Sequence, residues 1–228
     1  MGDALGKINA VLFDLDGTLI DTAPDMVALL GELQQAHGIE PLPYEKARST
    51  VSHGAIALVR LAFPEAGDSD LKSLHREYLE RYEASVCVDS RVFPDLPDML
   101  DVLDDQACPW GVVTNKPQRM TDPLLAALGL SDRLCCAVSG DTLPQRKPDP
   151  APLLLACSLA GSQPQDTVYV GDAERDMQAA QAAGMRSIAA AYGYIVAGDD
   201  PARWNADVIA DDTKELAKML LKAVNLDA

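Results

Sequence analysis

Two carboxylates, Asp14 and Asp16, follow the apolar run Val11-Leu12-Phe13 and lead into Gly17-Thr18. A carboxylate can attack phosphorus and form an acyl phosphate, which replaces one difficult displacement by two easier ones. A neighbouring carboxyl can then protonate the leaving group and activate water. In a strand, residues i and i+2 point to the same side, so both acids can face one ligand where the strand ends. Gly17 permits an unusual backbone angle, and Thr18 offers a hydroxyl and an N–H to phosphoryl oxygens. Taken alone, Asp-x-Asp-Gly is equally an ordinary turn after a strand.

The rest of the chain supplies the other parts of such a site, each after an apolar run. Trp110 to Val113 leads into Thr114-Asn115-Lys116, Val138 leads by a short loop to Lys147-Pro148-Asp149-Pro150, and Thr167 to Val170 leads into Gly171-Asp172-Ala173-Glu174-Arg175-Asp176. A hydroxyl, a fixed cation and an acidic pair thus follow the first two acids in order. Thr114 and Lys147 suit a transferring phosphoryl group, whose charge is spread over three oxygens. Pro148 and Pro150 stiffen the loop that carries Lys147. Asn115 has two readings, as a group positioning a phosphate oxygen or as a residue closing its own turn. Asp172 and Asp176 read either as ligands or as first-turn charges meeting a helix dipole.

These residues need a scaffold, and the hydrophobic pattern describes one. Strands are expected at 8–13, 110–114, 135–139, 167–170, 186–190 and 207–210. Helices are expected at 24–36, 95–106, 121–128, 151–160, 173–183 and 213–224. Alternation of this kind implies an α/β protein with a doubly wound parallel sheet covered by helices on both faces. Open sheets of this type bind ligands beyond the carboxyl ends of their strands, where the acids fall. Residues 22–90 contain no convincing strand, and apolar residues recur there at helical spacing, as at Leu71, Leu74, Tyr78 and Leu79. An all-helical insertion at 22–90, into a core of 1–21 and 91–228, is therefore expected, with linkers near 20–24 and 88–94 acting as hinges.

At 228 residues and 48% hydrophobic, the chain can bury a substantial core. A formal charge of −16 argues against nucleic acid as a partner, because the phosphate backbone needs basic surface. The sequence has no apolar run long enough to cross a bilayer, and Met1 to Asn9 has no apolar h-region. Five cysteines without a Cys-x-x-Cys pair suggest neither zinc nor a disulfide framework. A cytoplasmic enzyme acting on a small molecule, without nucleic-acid or membrane partners, is the expectation; nothing in the sequence indicates an oligomeric state.

Taken in order, Asp14-x-Asp16-Gly17-Thr18, Thr114-Asn115, Lys147-Pro148 and Gly171-Asp172-x-x-x-Asp176 resemble the four motifs of the haloacid-dehalogenase-superfamily phosphatases. The resemblance covers almost the whole chain, and Asp16 speaks against a dehalogenase, which lacks that second acid. It implies a Rossmann-like core with an inserted helical cap, in the subfamily that is phosphoglycolate-phosphatase-like. It further implies Asp14 as nucleophile and Asp16 as general acid and base. Thr114 and Lys147 would be catalytic, with Gly17, Thr18, Thr114, Asn115 and Lys147 binding phosphate. A Mg²⁺ ion would be held by Asp14, Asp172 and the main-chain carbonyl of Asp16. Asp176 lies near the metal, either through water or paired with Lys147.

Cap residues then select the leaving group. Ser52-His53-Gly54 is the first candidate, since a Gly-containing turn before a helix at 55–62 can present N–H groups to an anion. Arg60 is a second, able to grip a carboxylate bidentately. A helix-capping His53 and a solvated Arg60 are the plain structural alternatives. Further likeness at Trp110 to Pro117, Lys147 to Cys157 and Tyr192 to Ile195 implies a small carboxylated phosphate ester as substrate, 2-phosphoglycolate or N-acetylmuramic acid 6-phosphate. Rival classes are a sugar-phosphate mutase of the same superfamily and a phosphoacceptor signalling domain, which is shorter and lacks the insertion.

Overall fold

The computed structural model describes residues 5–224. Strand β1 (Ala10–Phe13) is followed by β2 (Ile20–Asp21), the helices α1 (Ala23–Ala36), α2 (Tyr44–Arg48), α3 (Ala55–Ala62) and α4 (Asp68–Ala84), and then β3 (Arg91–Val92). The chain continues through α5 (Leu96–Asp105), β4 (Trp110–Val113), α6 (Gln118–Ala127), β5 (Cys136–Val138), α7 (Ala151–Leu159), β6 (Thr167–Gly171), α8 (Glu174–Ala183), β7 (Arg186–Ala190), β8 (Val208–Ala210) and α9 (Thr213–Val224). Six strands form one sheet in the order β5-β4-β1-β6-β7-β8, with every adjacent pair parallel.

Period-two alternation explains how β1 is buried on both sides. Val11 and Phe13 join the apolar cluster that contains Leu96, Leu100 and Leu103 of α5 and Leu216 and Leu220 of α9. Leu12 points the other way, into the cluster with Leu153 and Ala156 of α7 and Ala179 and Ala180 of α8. From β5, at one edge, the chain crosses past β4 and β1 to enter β6. The order therefore reverses at β1, and the crevice at the carboxyl end of β1 is the position where such sheets bind ligands.

Helices α1 to α4 form the insertion, in which Leu30, Leu33, Leu58, Val59, Leu71 and Tyr78 are buried together. The two linkers, expected as separate hinges, form one antiparallel ribbon in which β2 pairs with β3, Ile20 opposite Val92. Buried Asp25 at the start of α1 clamps the returning chain, accepting from the N–H groups of Val88, Asp89 and Ser90 at 2.8–3.0 Å and from the Ser90 hydroxyl at 2.6 Å. Two-residue strands are too short to show any hydrophobic period, which is why the ribbon escapes a sequence reading. Helix α6 also begins three residues earlier than expected, at Gln118 after Pro117.

Candidate active site

Asp14 follows the last residue of β1, and its N–H donates to the Val170 carbonyl at 2.8 Å, which extends the pairing by one residue. Its side chain is almost fully buried, with Oδ1 accepting the Leu15 N–H at 2.8 Å. Lys147 Nζ lies 2.9 Å from Asp14 Oδ1 and 2.8 Å from Asp176 Oδ1, and donates to Tyr169 Oη at 2.7 Å. The ammonium thus sits between two carboxylates and a phenol oxygen, all within 3 Å. Tyr169 donates onward to the Val113 carbonyl at 2.7 Å, so the cation is anchored to the ends of β4 and β6. Of the two readings of Asp176, the structure shows the ion pair with Lys147.

Asp16 is built into a different network. Its Oδ1 accepts from Thr22 Oγ1 at 2.7 Å and from Lys116 Nζ at 2.9 Å, while Lys116 also donates to Tyr82 Oη at 2.8 Å. Burial opposes the charge on Lys116, but Asp16 and Tyr82 outweigh it and hold its pKa above that of an ordinary lysine. Lys116, Thr22 and Tyr82 were not singled out from the sequence. The position of Lys116 after Thr114-Asn115 was a usable signal for its place at a strand end, but nothing local reveals its partners.

Asp14, Asp172 and Asp176 each place a carboxylate oxygen within 4.8 Å of the others, all three buried. Asp172 Oδ2 accepts from Ser52 Oγ at 2.5 Å and from the Tyr194 N–H at 2.9 Å, while Oδ1 is buried with no hydrogen-bond partner among the described residues. A cluster of buried acids with an unsatisfied oxygen fits a hard divalent cation, which takes oxygen ligands. Gly17 has φ +82°, and a Cβ there would meet Asp172 Oδ2 and the Tyr194 ring, so only glycine lets this turn approach Asp172 so closely.

Burial, reinforced by Asp14 and then Asp176, pushes the Asp172 carboxyl up to about 7. A carboxyl raised above its unfolded value of about 3.9 favours folding below that value, and the contribution is lost as pH rises through about 7. In chelator-treated protein, Asp172→Asn is therefore expected to raise the melting temperature at pH 8 by several degrees. The gain should shrink towards pH 4, and equal melting of both proteins at pH 8 would contradict it. The direction follows from removing an ionisation that the fold disfavours, at about 2–4 °C per kcal/mol for a chain of this size.

A cavity of about 390 Å³ opens over these groups, between the sheet and the insertion. Asp14, Asp16, Thr114, Asn115, Ser52, His53 and Gly54 line it, with Lys116, Arg146 and Arg175 among the basic residues of its wall. Lys147, Asp172 and Asp176 lie behind Asp14, outside the wall. Thr18 is fully buried and does not line the cavity. Asn115 donates from Nδ2 to the Lys147 carbonyl and accepts the Lys147 N–H at Oδ1, both at 3.1 Å. Its amide thereby holds the Lys147 loop. Arg60 is exposed on α3 and does not line the cavity, because its helical position turns it away from the sheet. His53 does line it; burial first, and then the Arg175 charge, lower its pKa.

A doubly wound parallel sheet, an acid pair after β1, a buried lysine against the first of those acids and a helical insertion over that end of the sheet together define the class of α/β protein. The chain belongs to the haloacid dehalogenase-like hydrolase family, whose model matches residues 11–190. It is 42% identical over 219 residues to an N-acetylmuramic acid 6-phosphate phosphatase of Pseudomonas aeruginosa, covering 96% of this chain and 97% of that one. It is also 42% identical over 207 residues to a phosphoglycolate phosphatase of Xanthomonas campestris pv. campestris, covering 91% and 94%. A crystal structure described as a predicted phosphoglycolate phosphatase from Haemophilus somnus 129pt superposes with a TM-score of 0.82 at 28% identity, covering 93% and 98%.

Proposed function

We propose that this protein is a Mg²⁺-dependent phosphomonoester hydrolase that works through an aspartyl-phosphate and takes a small carboxylated phosphate ester. The observation that carries the reading is Asp14, buried against Lys147 and opening, with Asp16, into one cavity. In the first step an Asp14 oxygen bonds to phosphorus as the ester P–O bond breaks, and Asp16 gives its proton to the departing alcohol. In the second, Asp16 takes a proton from water as that water attacks the acyl phosphate, releasing inorganic phosphate and restoring Asp14. Thr114 meets the phosphoryl group at the cavity wall, and Lys147 offsets the negative charge from behind. Mg²⁺, held by Asp14, Asp172 and the main-chain carbonyl of Asp16 with Asp176 close by, would offset the repulsion between Asp14 and the anionic phosphoryl group.

Residues 1–21 and 91–228 are assigned as the catalytic core and 22–90 as the cap that selects substrate and excludes water on closing. Of the two carboxylated esters, N-acetylmuramic acid 6-phosphate is the better match. A cavity of about 390 Å³, walled by Met26, Val51, Ile56, Tyr78, Leu79 and Met120, is in the range that encloses ligands of drug-like size. It is far larger than a two-carbon ester needs. A relative of comparable similarity named for that substrate adds support. The five cysteines are free, in keeping with a cytoplasmic reaction.

Phosphate release with Mg²⁺ from N-acetylmuramic acid 6-phosphate, 2-phosphoglycolate and plain sugar phosphates tests this reading. The expected result is a kcat/KM at least about tenfold higher for the first ester, and loss of all release on chelation. Equal rates for the two carboxylated esters would remove the argument from cavity size. Phosphoryl return to substrate without release would favour a mutase.

A further inference from the structure

We propose that Ser52, carried by the helical insertion, is a positioning residue for Asp172 and couples docking of the insertion to metal affinity. The proposal rests on the metal-dependent reading above. Ser52 lies in the single 3-10 turn between α2 and α3, 120 positions from Asp172, yet its hydroxyl donates to Asp172 Oδ2 at 2.5 Å. That bond and the Tyr194 N–H occupy Oδ2 and leave Oδ1, buried and without a hydrogen-bond partner among the described residues, as the oxygen open to a cation. A ligating carboxylate held in this way by a second group binds metal more tightly, because its orientation is fixed before the ion arrives.

The same segment is gripped from the core at three further points. Arg175 Nη2 donates to the Ser52 carbonyl at 2.7 Å, from the position next to Asp176. Arg48 Nη1 donates to the Gly193 carbonyl at 3.4 Å, and its guanidinium lies 4.8 Å from the centre of the Tyr194 ring. Residues 48–52 of the insertion are therefore docked on the two core segments around Asp172, the start of α8 at Arg175 and the loop at 193–194. When the insertion lifts away, Asp172 loses a donor and its orientation loosens. By linkage, an ion bound at Asp172 must favour docking by the same factor as docking favours the ion.

The test is Mn²⁺ binding to the intact chain, read from the free-ion electron paramagnetic resonance signal, with folding checked by circular dichroism. Ser52→Ala is expected to raise the Mn²⁺ Kd about tenfold, at the low end of the roughly 10–100-fold typical of such supporting residues. Ser52→Thr, which keeps the hydroxyl, should stay nearer to wild type. A second measurement uses wild-type protein only: saturating Mn²⁺ should slow tryptic cleavage after Arg48 several-fold. Wild-type affinity in folded Ser52→Ala, or cleavage indifferent to Mn²⁺, would overturn the coupling while the metal-dependent reading stands. Absence of Mn²⁺ binding by wild type, or Asp172→Asn binding as wild type does, would overturn both.

Discussion

Asp14→Asn is expected to abolish phosphate release while leaving the fold intact. An amide is a poor nucleophile towards phosphorus, so the covalent step has no substitute. Loss of a nucleophile from a covalent hydrolase reaches about 10⁶ in kcat, and a fall of at least four orders of magnitude is expected here. Uncatalysed hydrolysis of phosphomonoesters is among the slowest reactions that enzymes accelerate, so little background activity should obscure the loss. The fold should tolerate the change. Asp14 is one of three clustered buried carboxylates, and removing one charge lowers the repulsion that helps push Asp172 up. Lys147 keeps Asp176 and Tyr169 as partners. A colorimetric phosphate assay together with thermal melting separates the two effects. Full activity in a well-folded Asp14→Asn protein would eliminate the aspartyl-phosphate route.

Asp16→Asn should behave differently, because it removes a proton carrier and leaves the nucleophile. With p-nitrophenyl phosphate, whose leaving group departs without a proton, the first step should survive and the second should stall. A burst of nitrophenolate equal to the enzyme concentration is expected, followed by turnover slowed by about 10²–10⁴. The variant also deprives Lys116 of its only carboxylate partner among the ion pairs described, in a position where the ammonium is almost fully buried. Breaking a buried pair from one side costs up to about 3–5 kcal/mol, so the melting temperature should fall by several degrees. The residual hydrogen bond to Tyr82 and the new amide oxygen keep that loss at the lower end. Slow turnover without a burst would mean that Asp16 is needed to form the acyl phosphate even when the leaving group takes no proton, so that its part in the first step is more than protonation.

The amino-acid sequence by itself determined the doubly wound fold, the place of the helical insertion, and the segments just beyond the strands in which Asp14, Asp16, Thr114, Lys147, Asp172 and Asp176 fall. Each of those features is local: an apolar run buried on both faces, the turn that ends it, and the side chains of the next few residues. What the side chains do to one another was not local. The contacts of Asn115 and Asp176 with Lys147 exist only because the Lys147 loop comes within reach of both. The exclusion of Thr18 and Arg60 from the cavity depended on how the turn and α3 are oriented, which motif spacing does not encode. The Lys116–Asp16 and Ser52–Asp172 contacts join residues 100 and 120 positions apart. Such pairings arise because the sheet order reverses at β1 and the insertion folds back over that point, so only the tertiary structure decides which distant donors meet which acids.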